Sequence, residues 1–124
     1  YALLPHAGPV QEGGVIEEGY RLNAPLIVGS SAAQPANVSF FQVSPSNVVI
    51  ETVKKAEDSN AIIVRLYEAH GKRGMARLTS RLPIMGAAQC NLLEEEDQPL
   101  AWQDGGVEFA VTPFKIVTLK LALG

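Results

Sequence analysis

The sequence lacks the features that mark several common classes of protein. It contains one cysteine, Cys90, so no disulfide can form within the chain, which fits a reducing compartment. No apolar run approaches the roughly 18–20 residues that a helix needs to cross a bilayer. Ten basic residues are scattered along a chain of net charge −3. This distribution excludes the electrostatic footprint of a nucleic-acid-binding protein.

Length and composition indicate one folded domain, or one domain with a piece of another. A hydrophobic content of 47% is that of a soluble globular protein, and 124 residues can bury a core without disulfides. The chain opens on Tyr1 in an apolar run, with no basic segment or cleavage signal before it. We therefore expect a functional unit larger than this chain.

The first 28 residues predict a short strand followed by a helical segment. "YALLPHAGPV" indicates a strand that Pro5 ends. "QEGGVIEEGYRLN" has a rough helical stripe of apolar residues with acidic residues early in it. Gly13 and Gly14 weaken that helix by about 1 kcal/mol each. The small and polar segment 29–36 then predicts a linker.

Residues 37–124 have the two-residue period of β-strands. Seven short segments are rich in β-branched or aromatic residues, and turn signals separate them. Several spacings fall near the 8–12 residues expected for an all-β sandwich. We predict a mostly-β, antiparallel β-sandwich with hairpin turns at "EDSN" and "HGKRG". The predicted strands are "VSFFQV", "NVVIETVKKA", "AIIVRLYEA", "MARLTSRL", "AAQCNLL", "GVEFAV" and "FKIVTLKLAL".

The segment "RLYEAHG" contains side chains that an active site would use. On a strand, Glu68 and His70 point to the same side, close enough for a carboxylate–imidazole pair that could act as a base and its orienter. However, no serine or cysteine nucleophile lies at a diagnostic spacing. The simpler interpretation is a strand end whose polar side chains are solvated or hydrogen-bonded to neighbouring turns.

No pattern in the sequence predicts a metal or phosphate site. HxH, HExxH and CxxC pairings are absent, and His6 and His70 lie far apart in the chain. The glycines of "AGPVQEGG" lack the GxGxxG spacing and the lysine of a P-loop. The acidic run "LEEED" is interpreted as a solvated loop. Trp102 and Phe109 could form a stacking platform for a sugar, although Trp102 beside the "DGG" turn is more typical of a packing residue.

Five segments occur in an order that carries further information: "YALLPHAG", "QEGGVIEEGYRLNAPL", "VVIETVKKAEDSNAIIVRLYEAHG", "NLLEE" and "TPFKIVTLKL". Together they resemble the C-terminal end of family 38 glycoside hydrolases, and most the cytosolic and bacterial type of α-mannosidase. The most specific pieces are Pro5–His6 running into Tyr20–Asn23–Pro25, and "ETVKKAED" followed by "RLYEAHG". Val10 and the 29–37 linker depart from the family pattern. The resemblance covers nearly the whole chain.

This resemblance implies that the chain is part of a long enzyme. Such enzymes have an N-terminal α/β barrel that holds a divalent metal, zinc or cobalt, and the aspartate nucleophile of a retaining mechanism. It also implies that residues 1–28 are the last strand and helix-like return of a β super-sandwich, and that 37–124 are the terminal β-sandwich. The barrel motifs are absent from this sequence. We therefore assign no catalytic, cofactor-binding or metal residue in this chain.

The resemblance implies a non-catalytic portion that supports the fold, domain packing and cleft shape of an α-mannosidase. The implied partners are the N-terminal catalytic region and a mannoside substrate, in the cytoplasm. We expect neither nucleic acid nor membrane as a partner, and a homo-oligomer is left open. The alternative is a stand-alone carbohydrate-binding or protein-interaction module. The candidate interface or sugar-contact residues are His6, Tyr20, Glu68, His70 and Trp102.

Overall fold

The computed structural model describes residues 1–30 and 37–124, with the backbone alone at residues 96 and 97. Contacts divide the chain into two units, Tyr1–Asn37 and Val38–Gly124. Most of the predicted linker, residues 31–36, lies outside the described residues. Within the described part of the chain, no helix is long and apolar enough to span a membrane.

The first unit contains one helix, α1, which spans Val15–Asn23. Gly14 precedes it in the left-handed conformation, with φ of 71°, which glycine adopts without steric cost. Two glutamates in the first turn and Arg21 in the last complement the helix dipole. The helix ends before Pro25, because proline disfavours the helical conformation in the residue that precedes it. The predicted helix is thus present, and both glycines lie outside it.

The start of the first unit differs from the predicted strand. Residues 1–6 adopt no regular secondary structure, and no residue of 1–30 is buried. A strand needs a neighbour for its backbone hydrogen bonds, and no described strand pairs with this segment. The assignment of residues 1–28 to a preceding β super-sandwich stays a prediction.

The second unit consists of short strands joined by tight loops. The proportion of strand confirms the predicted mostly-β fold. The described strands are β1 (Phe41–Ser44), β2 (Val48–Lys55), β3 (Ile62–Glu68), β4 (Gly74–Ser80), β5 (Ile84–Cys90), β6 (Glu96–Leu100), β7 (Trp102–Gln103), β8 (Gly106–Val111) and β9 (Ile116–Leu123).

These strands form two sheets with the core between them. The four-stranded sheet has the order β1-β4-β8-β7, the five-stranded sheet has the order β2-β3-β9-β5-β6, and the pairs are antiparallel. Alternate residues of β8 face inward, so Val107, Phe109 and Val111 are buried whereas Glu108 is exposed. Full burial of such an apolar side chain stabilises the fold by about 1.5–3 kcal/mol. The predicted antiparallel sandwich is confirmed.

Two of the predicted turns form hairpins, and a third does not. "EDSN" joins β2 to β3, which pair along their length. Asp104 and Gly105 join β7 to β8 with φ of 50° and 70°, the paired positive values of a type I′ hairpin turn. "HGKRG" instead leads from β3 in one sheet to β4 in the other. The hairpin prediction is wrong there because β2 and β9 already occupy both edges of β3.

Sequence periodicity missed β6 and β7. β6 has the sequence "EDQPL" and pairs with β5 alone, at the edge of its sheet. Pro99 is compatible with this position because an edge strand has one side that needs no backbone donor. The last two residues of "LEEED", predicted as loop, therefore begin a strand.

Candidate functional site

β3 ends at Glu68, whose side chain is fully buried at one end of the core. From Val64 onward the burial of β3 alternates, so Val64, Leu66 and Glu68 enter the core whereas Arg65 and Tyr67 lie on the outer face of the sheet. A buried carboxylate loses its contact with water, and hydrogen bonds must replace that contact.

Donors from three separate loops surround the Glu68 carboxylate. Asn47 Nδ2 and the His70 backbone N–H each donate to Oε1, both at 2.9 Å. The backbone N–H groups of Gly71 and Phe114 donate to Oε2, at 2.7 and 3.0 Å. We call Glu68 and these donors the Glu68 network. Through these hydrogen bonds, the β1–β2, β3–β4 and β8–β9 loops all contact the Glu68 carboxylate.

The Glu68 network sets the charge of this carboxyl group. Burial opposes ionisation, but the hydrogen bonds from Asn47 and from the backbone N–H groups of Phe114, Lys72 and His70 lower the pKa of Glu68 to about 2. Glu68 is therefore an anion at neutral pH. A carboxylate with so low a pKa is a poor proton acceptor, so the network favours a structural role over general acid–base catalysis.

The carboxylate–imidazole pair that the spacing of Glu68 and His70 allowed is not formed. The hydrogen bond between these residues uses the His70 backbone N–H. The simpler interpretation, a polar strand end bonded to neighbouring turns, describes Glu68. A role for either residue in an interface or a sugar contact stays a prediction.

The Glu68 network holds Phe114 in an uncommon conformation. Its φ of 57° lies in the left-handed region, which costs a residue with a side chain about 1–2 kcal/mol. Its ring packs over Gly71, where an added Cβ would lie 3.1 Å from the Phe114 Cζ atom. Phe114 is nevertheless 65% exposed. Such strain in an exposed residue is typical of functional contacts.

Phe114 borders a groove of about 520 Å³ on the outer face of the five-stranded sheet. The walls come from β2, β3, β9 and the loop that follows β5. We call this feature the outer groove. The side chains that line it include Glu51, Arg65, Tyr67, Leu92, Phe114 and Ile116.

Arg65 provides the positive charge of the outer groove. Its Nη2 donates to the Leu92 carbonyl oxygen at 2.9 Å, whereas its buried Nε donates to no described acceptor. None of the ion pairs between described side chains includes Arg65. A buried donor without an acceptor costs about 1–3 kcal/mol, so this arrangement of Arg65 opposes the stability of the fold.

One wall of the outer groove is the loop 91–95. Asn91 Oδ1 accepts the backbone N–H groups of Leu93 and Glu95, at 2.9 and 3.1 Å. These bonds close a tight turn in which Glu94 has φ of 68°. The turn directs the Glu94 side chain toward the protein, where it is 6% exposed. The solvated-loop prediction is therefore wrong for this residue.

Glu94 fastens this loop to β2. Its carboxylate lies 2.8 Å from Lys54 Nζ and accepts the Glu57 backbone N–H at 2.9 Å. The hydrogen bonds from Lys54 and Glu57 lower the pKa of Glu94. The wall formed by the loop is thus fixed by charge and hydrogen bonding rather than left open to solvent.

The remaining predicted residues belong to other elements of the chain. His6 and Tyr20 belong to the first unit, where His6 packs over Gly13 and Tyr20 lies on α1 with 41% exposure. Trp102 pairs with Val107 and packs against the core. Phe109 is buried in that core, so it forms no exposed platform with Trp102. Their roles in an interface or sugar contact stay predictions.

The described part of the chain contains no candidate metal site. No group of three or more His, Cys, Asp or Glu side chains could hold an ion among these residues. The divalent metal that the resemblance implies for the catalytic region stays a prediction. We therefore derive no chemical step through a metal.

Comparisons with known proteins identify the family of the chain. The model of the glycosyl hydrolases family 38 C-terminal beta sandwich domain matches residues 47–119. The chain belongs to glycosyl hydrolase family 38. The matched part of this family 38 sandwich runs from Asn47 to Leu119, so it includes both the Glu68 network and the outer groove. The family resemblance inferred from the sequence is confirmed.

Several curated relatives are similar along nearly the whole chain. Alpha-mannosidase 2C1 of Homo sapiens is 41% identical over 130 residues, which cover 99% of this chain and 12% of that protein. Alpha-mannosidase 2C1 of Mus musculus is 40% identical, with the same coverage. Alpha-mannosidase G of Dictyostelium discoideum is 30% identical over 97% of this chain and 12% of its own length. The family 38 sandwich thus spans a small part of these relatives.

Proposed function

We propose that this chain is the non-catalytic C-terminal portion of an α-mannosidase that hydrolyses terminal α-mannosyl linkages of glycans or oligosaccharides. The observation that carries this proposal is its identity of 30–41% to proteins named alpha-mannosidase over 97–99% of its length. The sandwich supports the fold, the domain packing and the shape of the substrate cleft. Glu68 supports this role because it is a hydrogen-bonded structural anion.

On this proposal, the chemistry takes place in the N-terminal catalytic region of the same polypeptide. That region binds the mannoside and a divalent metal, zinc or cobalt. Residues 1–28 form the end of the preceding super-sandwich, and the absence of any buried residue in 1–30 supports their dependence on another domain. We infer that the enzyme is cytoplasmic. The sequence has one cysteine, Cys90, whose thiol is buried, and a thiol without a disulfide suits a reducing compartment.

The test compares the full-length polypeptide with the 124-residue chain. Hydrolysis of p-nitrophenyl α-mannoside and bound zinc and cobalt are measured on both purified proteins. We expect activity and metal in the full-length protein and neither in the chain alone. Hydrolysis by the chain with metal bound would contradict the non-catalytic role. An inactive full-length protein with metal bound would contradict the α-mannosidase assignment.

The second candidate is a stand-alone carbohydrate-binding or protein-interaction module, which the exposed Phe114 and the outer groove favour. An antibody to residues 37–124 distinguishes the two by immunoblot of the source cells. A band several times larger than 13.3 kDa supports the enzyme, and a band at that mass supports the module. Titration of the chain with mannose and mannobiose, followed by NMR, then tests sugar binding.

A further inference from the structure

The β3–β4 loop, "HGKRG", presents two cations to solvent on a fixed backbone. The backbone N–H groups of His70, Gly71 and Lys72 bond to the buried carboxylate at the end of β3. These bonds hold the loop by its main chain and leave its charged side chains outside the core. Lys72 and Arg73 are both exposed. The loop therefore holds its positive charges in a set position before any ligand arrives.

The β8–β9 loop adds a third cation beside the first two. The Phe114 and Gly71 backbone N–H groups donate to the same carboxylate oxygen, at 3.0 and 2.7 Å, so the two loops lie side by side. Lys115 directly follows Phe114 and is half-buried. We call Lys72, Arg73 and Lys115 the basic rim of the sandwich.

The basic rim has no acidic partner among the described side chains. Four of the ten lysines and arginines in the chain form ion pairs, and Arg65 donates to a carbonyl oxygen. The side chains of the remaining five form no ion pair or hydrogen bond with a described group. These five are Lys55, Lys72, Arg73, Arg81 and Lys115. Three of them lie in the rim, which thus concentrates unpaired positive charge in a chain of net charge −3.

The charge of the basic rim matches that of a phosphate monoester. Three cations around the single ionised carboxylate of Glu68 leave two positive charges at neutral pH. A phosphate monoester carries about −1.5 to −2 at this pH, more than one carboxylate does. Lysine and arginine donate charge-assisted hydrogen bonds to phosphate oxygens. Glu51, the carboxylate of the outer groove, lies on β2 and is separated from β9 by β3, so it is not part of the rim.

Phe114 provides an apolar surface next to this charge. The tip of its ring packs over Gly71, the residue before Lys72, and Phe114 itself precedes Lys115. Phe114 is 65% exposed. An exposed aromatic ring can pack on the apolar face of a sugar. A phosphorylated sugar would therefore contact the rim through its phosphate and Phe114 through its ring.

We propose that the basic rim and Phe114 form a binding site for a phosphorylated sugar. The phosphate lies among Lys72, Arg73 and Lys115, and the sugar packs on the Phe114 ring. This binding activity goes beyond the proposed function, and only the choice of mannose as the sugar to test rests on it. Free phosphate and a phosphorylated peptide have the same anionic chemistry, and both are outcomes of the test.

The test is a titration of the full-length polypeptide with mannose 6-phosphate at constant ionic strength. The width of the ligand's phosphorus-31 NMR signal gives the Kd. In the rim variant, Lys72→Gln is combined with Arg73→Gln. We expect the Kd of this variant to rise at least about tenfold, because two of the three cations that bind the phosphate are removed.

The control variant combines Lys55→Gln with Arg81→Gln. It removes the same charge from two exposed cations that also have no described partner. Lys55 is the last residue of β2, and Arg81 follows the last residue of β4, whereas the rim lies beyond the opposite ends of these strands. Salt screens exposed charges over about 8 Å at physiological ionic strength, so the Kd of the control should stay that of the parent.

The following results would overturn the proposal. Equal Kd values for the rim variant and the parent would show that the rim binds no phosphate. The same loss in the control variant would indicate diffuse electrostatic attraction without a site. Inorganic phosphate that binds the parent as tightly as mannose 6-phosphate would show that no sugar is recognised. A phosphoserine peptide that displaces mannose 6-phosphate at a lower concentration would identify a protein ligand.

A second variant separates the sugar contact from the phosphate contact. Phe114→Asn removes the ring but keeps the backbone N–H bond to Glu68, and asparagine tolerates the left-handed conformation. We expect the Kd for mannose 6-phosphate to rise about fivefold, as for the loss of one aromatic contact. The Kd for inorganic phosphate should not change. Equal effects on both ligands would overturn the role of Phe114.

These readouts do not depend on catalysis. If the rim variant weakens binding in a polypeptide that lacks α-mannoside hydrolysis, the binding site stands and the proposed function fails. If hydrolysis is present and the rim variant binds as the parent does, the proposed function stands and the binding site fails.

Discussion

The two units of this chain contain the same kinds of apolar side chain in different environments. Leu119 in the sandwich is fully buried, whereas Leu3 and Leu26 in the first unit are 96% and 94% exposed. The sandwich has two sheets that can cover each other, but the first unit has one nine-residue helix and no described strand. An apolar face becomes a core only when a second layer packs on it. The comparison teaches that the layers, and not the residues alone, decide burial.

A helix as short as α1 is marginal by itself in water. Its ends are compatible with the helix dipole, and Glu18 forms an ion pair with Arg21 one turn away. An exposed pair of this kind contributes about 0.3–0.5 kcal/mol, which cannot replace a core. We therefore expect the stability of the chain to reside in residues 38–124.

Leu119→Ala should give the largest difference between the units. The substitution leaves a cavity between the two sheets, so the free energy of unfolding of the 124-residue chain should fall by about 3 kcal/mol. Leu26→Ala in the first unit should change it by less than about 0.5 kcal/mol. Urea denaturation followed by Trp102 fluorescence measures both values. Equal losses for the two leucines would contradict the comparison.

Glu68→Gln should have the next largest effect. A neutral amide cannot accept hydrogen bonds from all the donors of the Glu68 network, so the free energy of unfolding should fall by about 2 kcal/mol at pH 7. Glu18→Gln is the matched control, because Glu18 forms an exposed ion pair with Arg21 on α1. This variant should leave the free energy of unfolding unchanged. The prediction is wrong if both variants have the stability of the parent chain.

The pH dependence of the same variant gives a second measurement. The pKa of Glu68 is about 2 in the folded chain against 4.5 as its ordinary value, so the unfolded state binds more protons between these values. The stability from ionised Glu68 is therefore present above pH 4.5 and is lost as the pH falls toward 2. In urea denaturation, the difference between parent and Glu68→Gln should shrink over this window. A difference that stays constant as the pH falls toward 2 would contradict the ionised, hydrogen-bonded state of Glu68.

Gly105→Ala and Gly14→Ala compare the same local strain in the two units. Both glycines have positive φ, at 70° and 71°, and an added Cβ would meet nothing closer than 3.8 Å. Gly105→Ala should lower the midpoint of thermal unfolding, since the left-handed conformation costs about 1 kcal/mol in the β7–β8 turn. Gly14→Ala should leave the midpoint unchanged. A shift of similar size for Gly14→Ala would show that the first unit contributes to the cooperative fold.

Gly19→Ala should give the smallest effect on overall stability. Gly19 lies within α1, and an added Cβ meets nothing within 4 Å. Alanine favours the helix by about 1 kcal/mol, so the helical signal in far-UV circular dichroism should rise. The thermal midpoint of the sandwich should not move. A higher midpoint would mean that α1 and the sandwich unfold together.

Much of the fold could be predicted because it follows from local patterns. Alternating apolar residues predicted the sandwich, "EDSN" and "DGG" predicted turns, and acidic residues early in the 11–23 segment predicted α1. β6 could not be predicted, because its edge position tolerates a polar sequence with Pro99 and leaves no alternation. The hairpin predicted at "HGKRG" does not form, because β3 pairs with β2 and with β9, a strand that lies far from it in the chain.

The candidate site could be predicted only in part. The spacing of Glu68 and His70 placed them together, but the donors that define the Glu68 network lie elsewhere. Asn47 and Phe114 are 21 and 46 residues from Glu68 in the chain. No local motif connects residues at such distances. Arg65 could not be singled out from the sequence, because its missing acceptor depends on the fold around it.

The sequence by itself determined the family of the chain, its strand-rich character and the "EDSN" hairpin, because these depend on residue types and on near neighbours. The tertiary structure alone decided that Glu68 is a buried anion and that Glu94 fastens a loop to β2. It also decided that Phe114 stands exposed in a left-handed conformation above Gly71. The physical reason is that burial, pKa and backbone strain depend on groups that folding brings together from distant parts of the chain. Conformational propensity, in contrast, is set by each residue and its neighbours.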